Sequence, residues 1–528
     1  MDETARLVQR SLSADAAESF VERVERQAAD LRAAIAAGEF DNEEFAVGLE
    51  MEVYAVHAPG HTDGTAGTGD GGVVTPAGAG GEDRLAPLPG EAFEGPANKE
   101  LGVHNAELNT DPNVFDADGF ADQADAIGDA FERSRADARA TGRDLVLDAM
   151  WTVGPPGGSD GYLAAVNEHD GVTVARHMRP DPRYVAIDNE SLRYGGGSVT
   201  FSVPGFERAF PTILFESLAT SIQPHLQIPA ADDFPDYYNA GIRTLGPVLA
   251  LSTNSPFLPA DLYGDVDPEW LLAETDHELR IAAFEQSVGL SGTPKVRVPR
   301  DIDTATDAID RVVADDVYAP FLREWLDESD RETLSERYWE FRHKRSTYWR
   351  WLRCVAGGDP VGSGDERSLR IEYRPLPTQP TIRDVVGLQA LVAGLLRGLV
   401  AADHPVAELP WEAAEASFYN VVADGLGADL AWLTADGERT GDHAVIFAEL
   451  FEHARLGLRE AGLGSAAVDR YLDPIEARWE AGTTPSVWKI DRVREGLADG
   501  RSLTEAITAM QREYVRRSRA SESFASWL

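Results

Sequence analysis

Four short stretches of this chain alternate apolar and polar residues with the period of two that marks a β-strand buried on one face. In VGLEMEVY, Val47, Leu49, Met51 and Val53 alternate with Gly48, Glu50, Glu52 and Tyr54. The two glutamates therefore project from one side of the strand, and the other side is core. In VHNAELN, Asn105, Glu107 and Asn109 share a face; in SIQPHLQI, Ser221, Gln223, His225 and Gln227 oppose Ile222, Leu226 and Ile228. In LRIEYR, Arg370, Glu372 and Arg374 stand opposite Leu369, Ile371 and Tyr373. A solvated sheet face alternates in the same way, so one such strand alone does not mark a site. What sets the four apart is their polar content: Glu, His, Gln and Arg in place of the Thr, Lys and Ser that usually fill a wet sheet. A single sheet carrying them all gathers carboxylates that repel unless something positive sits between them. A hard divalent cation such as Mg²⁺ takes carboxylate oxygens and keeps positions for phosphate and water, and arginines on a neighbouring strand then meet the phosphates.

Elsewhere the apolar period is 3.6. Phe20, Val21, Val24, Ala28, Leu31 and Ile35 predict a leading amphipathic helix over 12–37. Further helices are predicted over 116–141, 267–287, 316–329, 331–356, 381–403, 410–424, 442–462 and 501–517, with strands at 144–149 and 195–203 and a helix ending before the Asn254-Ser255-Pro256 turn. Residues 57–98 are rich in Gly, Ala and Pro and read as a long flexible loop or an elaborated hairpin in which His57 and His61 are solvated. Gly67, Gly69 and Gly72 match a dinucleotide fingerprint formally, but no helix follows them. Strands in the first part and helices gathered late predict an α+β fold, an antiparallel sheet covered on one face by helices. The division expected is an amphipathic helix over 1–40, a catalytic domain over 41–405 and a helical region over 406–528.

At 528 residues and 43 % hydrophobic content, the chain is long enough to bury a sizeable core. The net charge of −42 argues against a nucleic-acid partner. Lysine occurs only at 99, 295, 344 and 489. A lysine-poor acidic surface suits a halophile's cytoplasm of molar salt, where screening falls to about 3 Å. Cys354 is the only cysteine, which excludes a disulfide or thiolate zinc site within one chain and reads as a buried structural thiol. With no secretory segment and no run of about 18 apolar residues, the expectation is a cytoplasmic protein without a membrane partner.

These motifs resemble, in order and spacing over about 45–405, the glutamate–cysteine ligase family of carboxylate–amine ligases, within the glutamine synthetase-like superfamily. Gly48, Glu50 and Glu52 are similar to the family's Gly-x-Glu-x-Glu strand, Glu107 to the glutamate of the next strand and His225 to its histidine strand. Asn254 to Phe257 look like its Asn-Ser-Pro-Phe turn, Arg370, Glu372 and Arg374 like its Arg-x-Glu-x-Arg strand, and LPTQPT like the start of its long helix. The glycine-rich stretch is longer than the family's and the His-Val-His strand is reduced to Gln223-Pro224-His225.

The resemblance implies a glutamine synthetase-like catalytic domain and ATP-dependent formation of a γ-glutamyl amide through an acyl phosphate. The expected substrates are glutamate, ATP and an amine such as cysteine, the last pointing to thiol biosynthesis, and a homo-oligomer is compatible. It implies Mg²⁺ or Mn²⁺ held by Glu50, Glu52, Glu107, His225 and Glu372, with Arg370, Arg374 and Glu372 acting on the transferring phosphoryl group. Asn105 and Gln227 join substrate or ATP binding. Arg342 and Arg345 are candidates for the α-carboxylate of glutamate, or else a cationic helix face packed by Trp339, Trp349 and Trp351, with His343 a partner of surface acids. Two alternatives stand beside this: a ligase of the same fold with another acceptor, and a silent nucleotide- or metabolite-binding sensor.

Overall fold

A computed structural model of the protein describes residues 2–58, 84–290, 293–326 and 333–528. Its centre is a sheet built around six strands: β1 (Ala46–His57), β2 (Ala97–Lys99), β3 (Asn105–Asn109), β4 (Ser221–Ile228), β5 (Leu352–Ala356) and β6 (Leu369–Tyr373). Their order across the sheet is β5-β6-β4-β1-β3-β2, and each neighbouring pair is antiparallel. Short strands at Asn113–Val114 and Arg143–Val146 extend the ladder along β1, and one at Leu376–Pro377 continues it on β4. The fold is α+β with a mostly antiparallel sheet.

Register decides what the sheet displays. Gly48 faces His225 and Glu50 faces Gln223 across the β1–β4 ladder, while Glu52 faces Glu107 across β1–β3. On the other side of β4, His225 faces Glu372 and Gln227 faces Arg370; Arg353 of β5 also faces Glu372. Directly opposed residues share a face of the sheet, so all these polar groups project to the same side. The reverse side is apolar: Leu49, Met51, Val53, Ile222, Leu226 and Ile371 are each at most 1 % exposed.

Two helices, Phe234–Ala250 and Ile382–Ala401, belong to the core over this apolar side. The second starts at Thr381, whose side chain accepts from the Asp384 N–H and so satisfies a free helix-end donor. Gln389 Nε2 of that helix donates to the carbonyl of Gly48 at 3.1 Å, tying it to β1. Among the described helices this one is long and apolar enough to cross a membrane, but 83 % of its apolar window is buried inside the fold, as a core helix requires. Its outer flank lies backbone to backbone on the helix His443–Glu460. A Cβ on Gly398 would lie 1.9 Å from the carbonyl oxygen of His453, and one on Gly457 would lie 1.9 Å from that of Gly394, so side chains there would force the helices apart.

Buried charges join the C-terminal helices to the same body. Lys489 Nζ, 1 % exposed in its side chain, contacts Asp148 at 2.6 Å and the Asn254 carbonyl at 2.6 Å. Gln511 donates to Asp148 at 2.7 Å and to the Tyr54 hydroxyl of β1 at 2.9 Å. Arg478 reaches Asp384 and Gln379 at 2.8 and 2.7 Å.

Several predicted elements change at their ends. The leading pattern over 12–37 is the helix Ala14–Ala36 with N-cap Ser13, and a further helix, Asp2–Ser11, precedes it. The 267–287 pattern divides into Pro268–Glu274 and Leu279–Ser287, and within 316–329 the described helix is Arg323–Leu326. The 331–356 helix is a correction: it ends by Ser346, and Leu352–Ala356 is β5, an edge strand whose alternation is too short to stand out beside the aromatic run before it. Residues 195–203 contribute Val199–Val203 to a separate hairpin with Phe206–Phe210. His57 closes β1 and is not loop, because its N–H pairs with the Arg84 carbonyl at 2.9 Å. His61 and the Gly67, Gly69, Gly72 pattern lie outside the described residues.

Cys354 is buried on β5, and desolvation pushes its thiol up to about 12. It is expected to resist iodoacetamide in the native protein and to react at once in denaturant; native-state labelling followed by mass spectrometry checks this.

Candidate active site

The polar face gathers the residues singled out from the alternation, and it divides them into two groups. Glu50, His225 and Glu372 each offer a ligand atom within 4.8 Å of the others'. Glu52, Glu107 and a residue the alternation did not reveal, Glu100, form a second such group. Glu100 lies just ahead of β3 in ELGVHN, where no strand period operates, so nothing in its immediate sequence marked it.

The first group is asymmetric in charge. Burial alone would raise Glu372, but Arg353 and Arg374 outweigh it and hold its carboxyl well below the usual range. Arg353 grips it through two nitrogens and Arg374 Nη1 donates at 2.6 Å. His225 is lowered to about 3 by burial and by Arg370, so its ring is neutral. Its Nε2 is buried with no hydrogen-bond partner and lies 3.6 Å from Glu50 and 4.0 Å from Glu372. A neutral imidazole nitrogen aimed between two carboxylates is a donor set that fits a divalent cation.

In the second group the carboxylates raise one another. Burial is the main cause for Glu52, reaching about 8 with Glu100 adding to it, and also for Glu107, where Glu100, Glu50 and Glu52 all add. Glu100 is raised by burial too. Among the described residues their hydrogen bonds are few: Ser221 N–H to Glu52 at 2.8 Å, Leu101 N–H and the Tyr184 hydroxyl to Glu100 at 2.7 and 3.3 Å, and Asn109 to Glu107 at 2.9 Å. Three adjacent carboxyls with spare oxygens also fit a hard cation, whose charge would return them to the ionised state.

Two cavities open on this face. One, of about 200 Å³, is lined by Glu52, Glu100, Glu107 and Asn105 with Arg183, Tyr184 and Trp349 among its walls. The other, of about 210 Å³, is lined by Gly48, His225, Gln227, Asp359 and Arg370. Glu50 lines both and stands between them. Asn105 Oδ1 and Arg183 Nε are buried without partners, while Gln227 Nε2 donates to the Glu44 carbonyl at 3.1 Å.

Guanidinium groups crowd the Glu372 end. Arg374 reaches Gln223 at 2.5 Å as well as Glu372, and Arg370 Nε is buried and unpartnered. Arg353 escaped the sequence reading because its strand was taken for helix. Arg345 is lowered to about 9 by burial and then by Arg353, and its Nε and Nη1 lack partners. Arg342 stands near Arg370 and donates to the Ser335 carbonyl at 3.2 Å. Neither Arg342 nor Arg345 lines the carboxylate-rich cavity. His343 is a correction: it is buried, stacks on Trp339 at 5.1 Å and bonds to the Ala319 carbonyl at 2.9 Å through Nε2, so it meets no surface acid.

Comparison with known proteins bears on this constellation. The model of glutamate–cysteine ligase family 2 matches residues 46–521. No curated protein matches. Among solved structures, the chain is similar to the glutamate–cysteine ligase of Francisella tularensis crystallised in complex with AMP, at 15 % identity and a TM-score of 0.49, covering 92 % of this chain and 90 % of that one.

Proposed function

From the premise that the chain belongs to glutamate–cysteine ligase family 2, we propose that it is an ATP-dependent ligase that joins the γ-carboxylate of glutamate to an amine, cysteine among the candidate acceptors, through an acyl phosphate. The observation that carries this reading is the single polar sheet face on which two carboxylate groups and a cluster of arginines meet with Glu50 between them.

Phosphoryl transfer from ATP to a carboxylate brings two anions together, so the barrier falls only if their charge is neutralised. Divalent cations such as Mg²⁺ or Mn²⁺, held at Glu50, His225 and Glu372 and at Glu52, Glu100 and Glu107, would supply that neutralisation at the phosphate oxygens. The protein's own part is electrostatic and positional. Arg353 and Arg374 keep Glu372 ionised, and Arg370 and Arg345 hold unpaired guanidinium N–H groups beside it for phosphate oxygens. Arg353, Arg370 and Glu372 sit on adjacent strands of one sheet and need little reorganisation as charge develops. The carboxylate-rich cavity, with Arg183 and Asn105 offering unpartnered polar atoms, suits the amino-acid substrates.

Phosphate release from ATP and Mg²⁺, with glutamate fixed and amines added singly across a range of KCl, tests the proposal. Release that requires both glutamate and one amine is expected. ATP binding without release under every amine would overturn the ligase reading in favour of a sensor.

A further inference from the structure

Glu216 is a half-buried residue whose carboxyl neither carboxylate group uses. It sits in the short turn Leu214–Leu218 just ahead of β4 and lines the same cavity as Glu52, Glu100 and Tyr184. Its Oε2 accepts from the Ser287 hydroxyl at 2.6 Å, and its other oxygen has no hydrogen-bond partner among the described residues. The cavity wall around it is apolar on one side, with Phe284, Val288 and Val296. The groups that face it are Ser287 from the helix Leu279–Ser287, Glu100 from the segment before β3, Arg183 from the helix Pro182–Tyr194 and Arg374 at the end of β6. Desolvation is the main influence on its carboxyl and raises it to about 7, with the Ser287 bond opposing and Glu100 assisting.

An amine acceptor arrives as an ammonium ion and must lose a proton before nitrogen can attack. We propose that Glu216 receives the acceptor's ammonium group in this cavity and takes its proton as general base. This rests on the ligase reading. In the step, the ammonium gives one proton to the free oxygen of Glu216, and the exposed nitrogen pair forms the C–N bond at the acyl carbon. The bond from that carbon to the phosphate oxygen breaks, phosphate departs with the electron pair, and it takes the second nitrogen proton. Glu216 later returns its proton to solvent. The carboxyl is anchored through one oxygen and free at the other, which is what a base needs to stay in place while accepting a proton.

Hydroxylamine separates this role from a structural one, because it is largely neutral where an aliphatic amine is cationic and needs no base to attack an acyl phosphate. Rates of hydroxamate and amide formation are compared for wild type and Glu216→Gln. The ratio of amide to hydroxamate rate is expected to fall about 10²-fold in the variant. Equal loss of both rates, or loss of neither, overturns the assignment. A wild-type protein that forms no hydroxamate from glutamate and ATP overturns the ligase reading beneath it.

Discussion

Replacing Glu50 with alanine is expected to lower ATP turnover by at least about 10³-fold, a barrier increase of about 4 kcal/mol, while leaving the fold intact. Glu50 is the one carboxylate that borders both cavities, and it faces the unpartnered Nε2 of His225. Its carboxyl accepts no hydrogen bond from a described residue, so truncation leaves no buried donor stranded. Burial and the nearby Glu372 already raise it, which means that removing its charge relieves repulsion in the free protein. Loss of activity with an unchanged or slightly raised melting temperature would separate chemistry from stability. Glu372→Ala is a poorer test, because it strips Arg353 and Arg374 of their shared anion and confounds the two. Phosphate release at the wild-type rate by the Glu50 variant would sink the site assignment.

The largest effect on stability is expected at Lys489. Its ammonium is buried, lowered by desolvation, and held by Asp148, with the Asn254 carbonyl as second acceptor. Lys489→Met removes the cation and leaves the Asp148 carboxylate enclosed, a loss of about 3–5 kcal/mol. Adding Asp148→Asn removes the stranded charge and should recover part of it, since Gln511 can still bond to an amide oxygen. Urea unfolding of the wild type and the two variants measures this. A single-variant loss below about 1 kcal/mol would mean that the pair adds little net stability and that the other contacts of the C-terminal helices hold them in place.

Much of the site was legible before the fold. Alternation in VGLEMEVY, HNAELN, SIQPHLQI and LRIEYR placed Glu50, Glu52, Glu107, His225 and Glu372 on polar faces, and the ladders put those faces on one side of one sheet. Period two is a local signal and survives any topology. The residues that were missed lie in segments with no period, or in elements whose period was not read. Glu100 and Glu216 sit in bends, and Arg183 and Tyr184 in the first turn of a helix whose apolar spacing was not picked out. Arg353 was hidden by the cationic, aromatic stretch FRHKRSTYWRW, which has helical composition but gives way to an edge strand once Ile371 and Tyr373 supply a partner. The division of the carboxylates into two groups depends on Glu52 pairing with Glu107 while His225 pairs with Glu372, a register that sequence does not specify.

The helix Ile382–Ala401 has a bearing on how the chain is made. It is apolar around nearly its whole circumference, and part of what shields it, the helix His443–Glu460, is translated dozens of residues later. A ribosome-bound chain that has just released residue 405 would therefore carry this helix covered by the sheet on one side and bare on the flank that His443–Glu460 later takes. Folding of this body is therefore expected to complete only after the helices His443–Glu460 and Ser465–Glu480 have emerged. A stop codon placed between 405 and 440 is thus expected to yield an aggregate and not a smaller working enzyme.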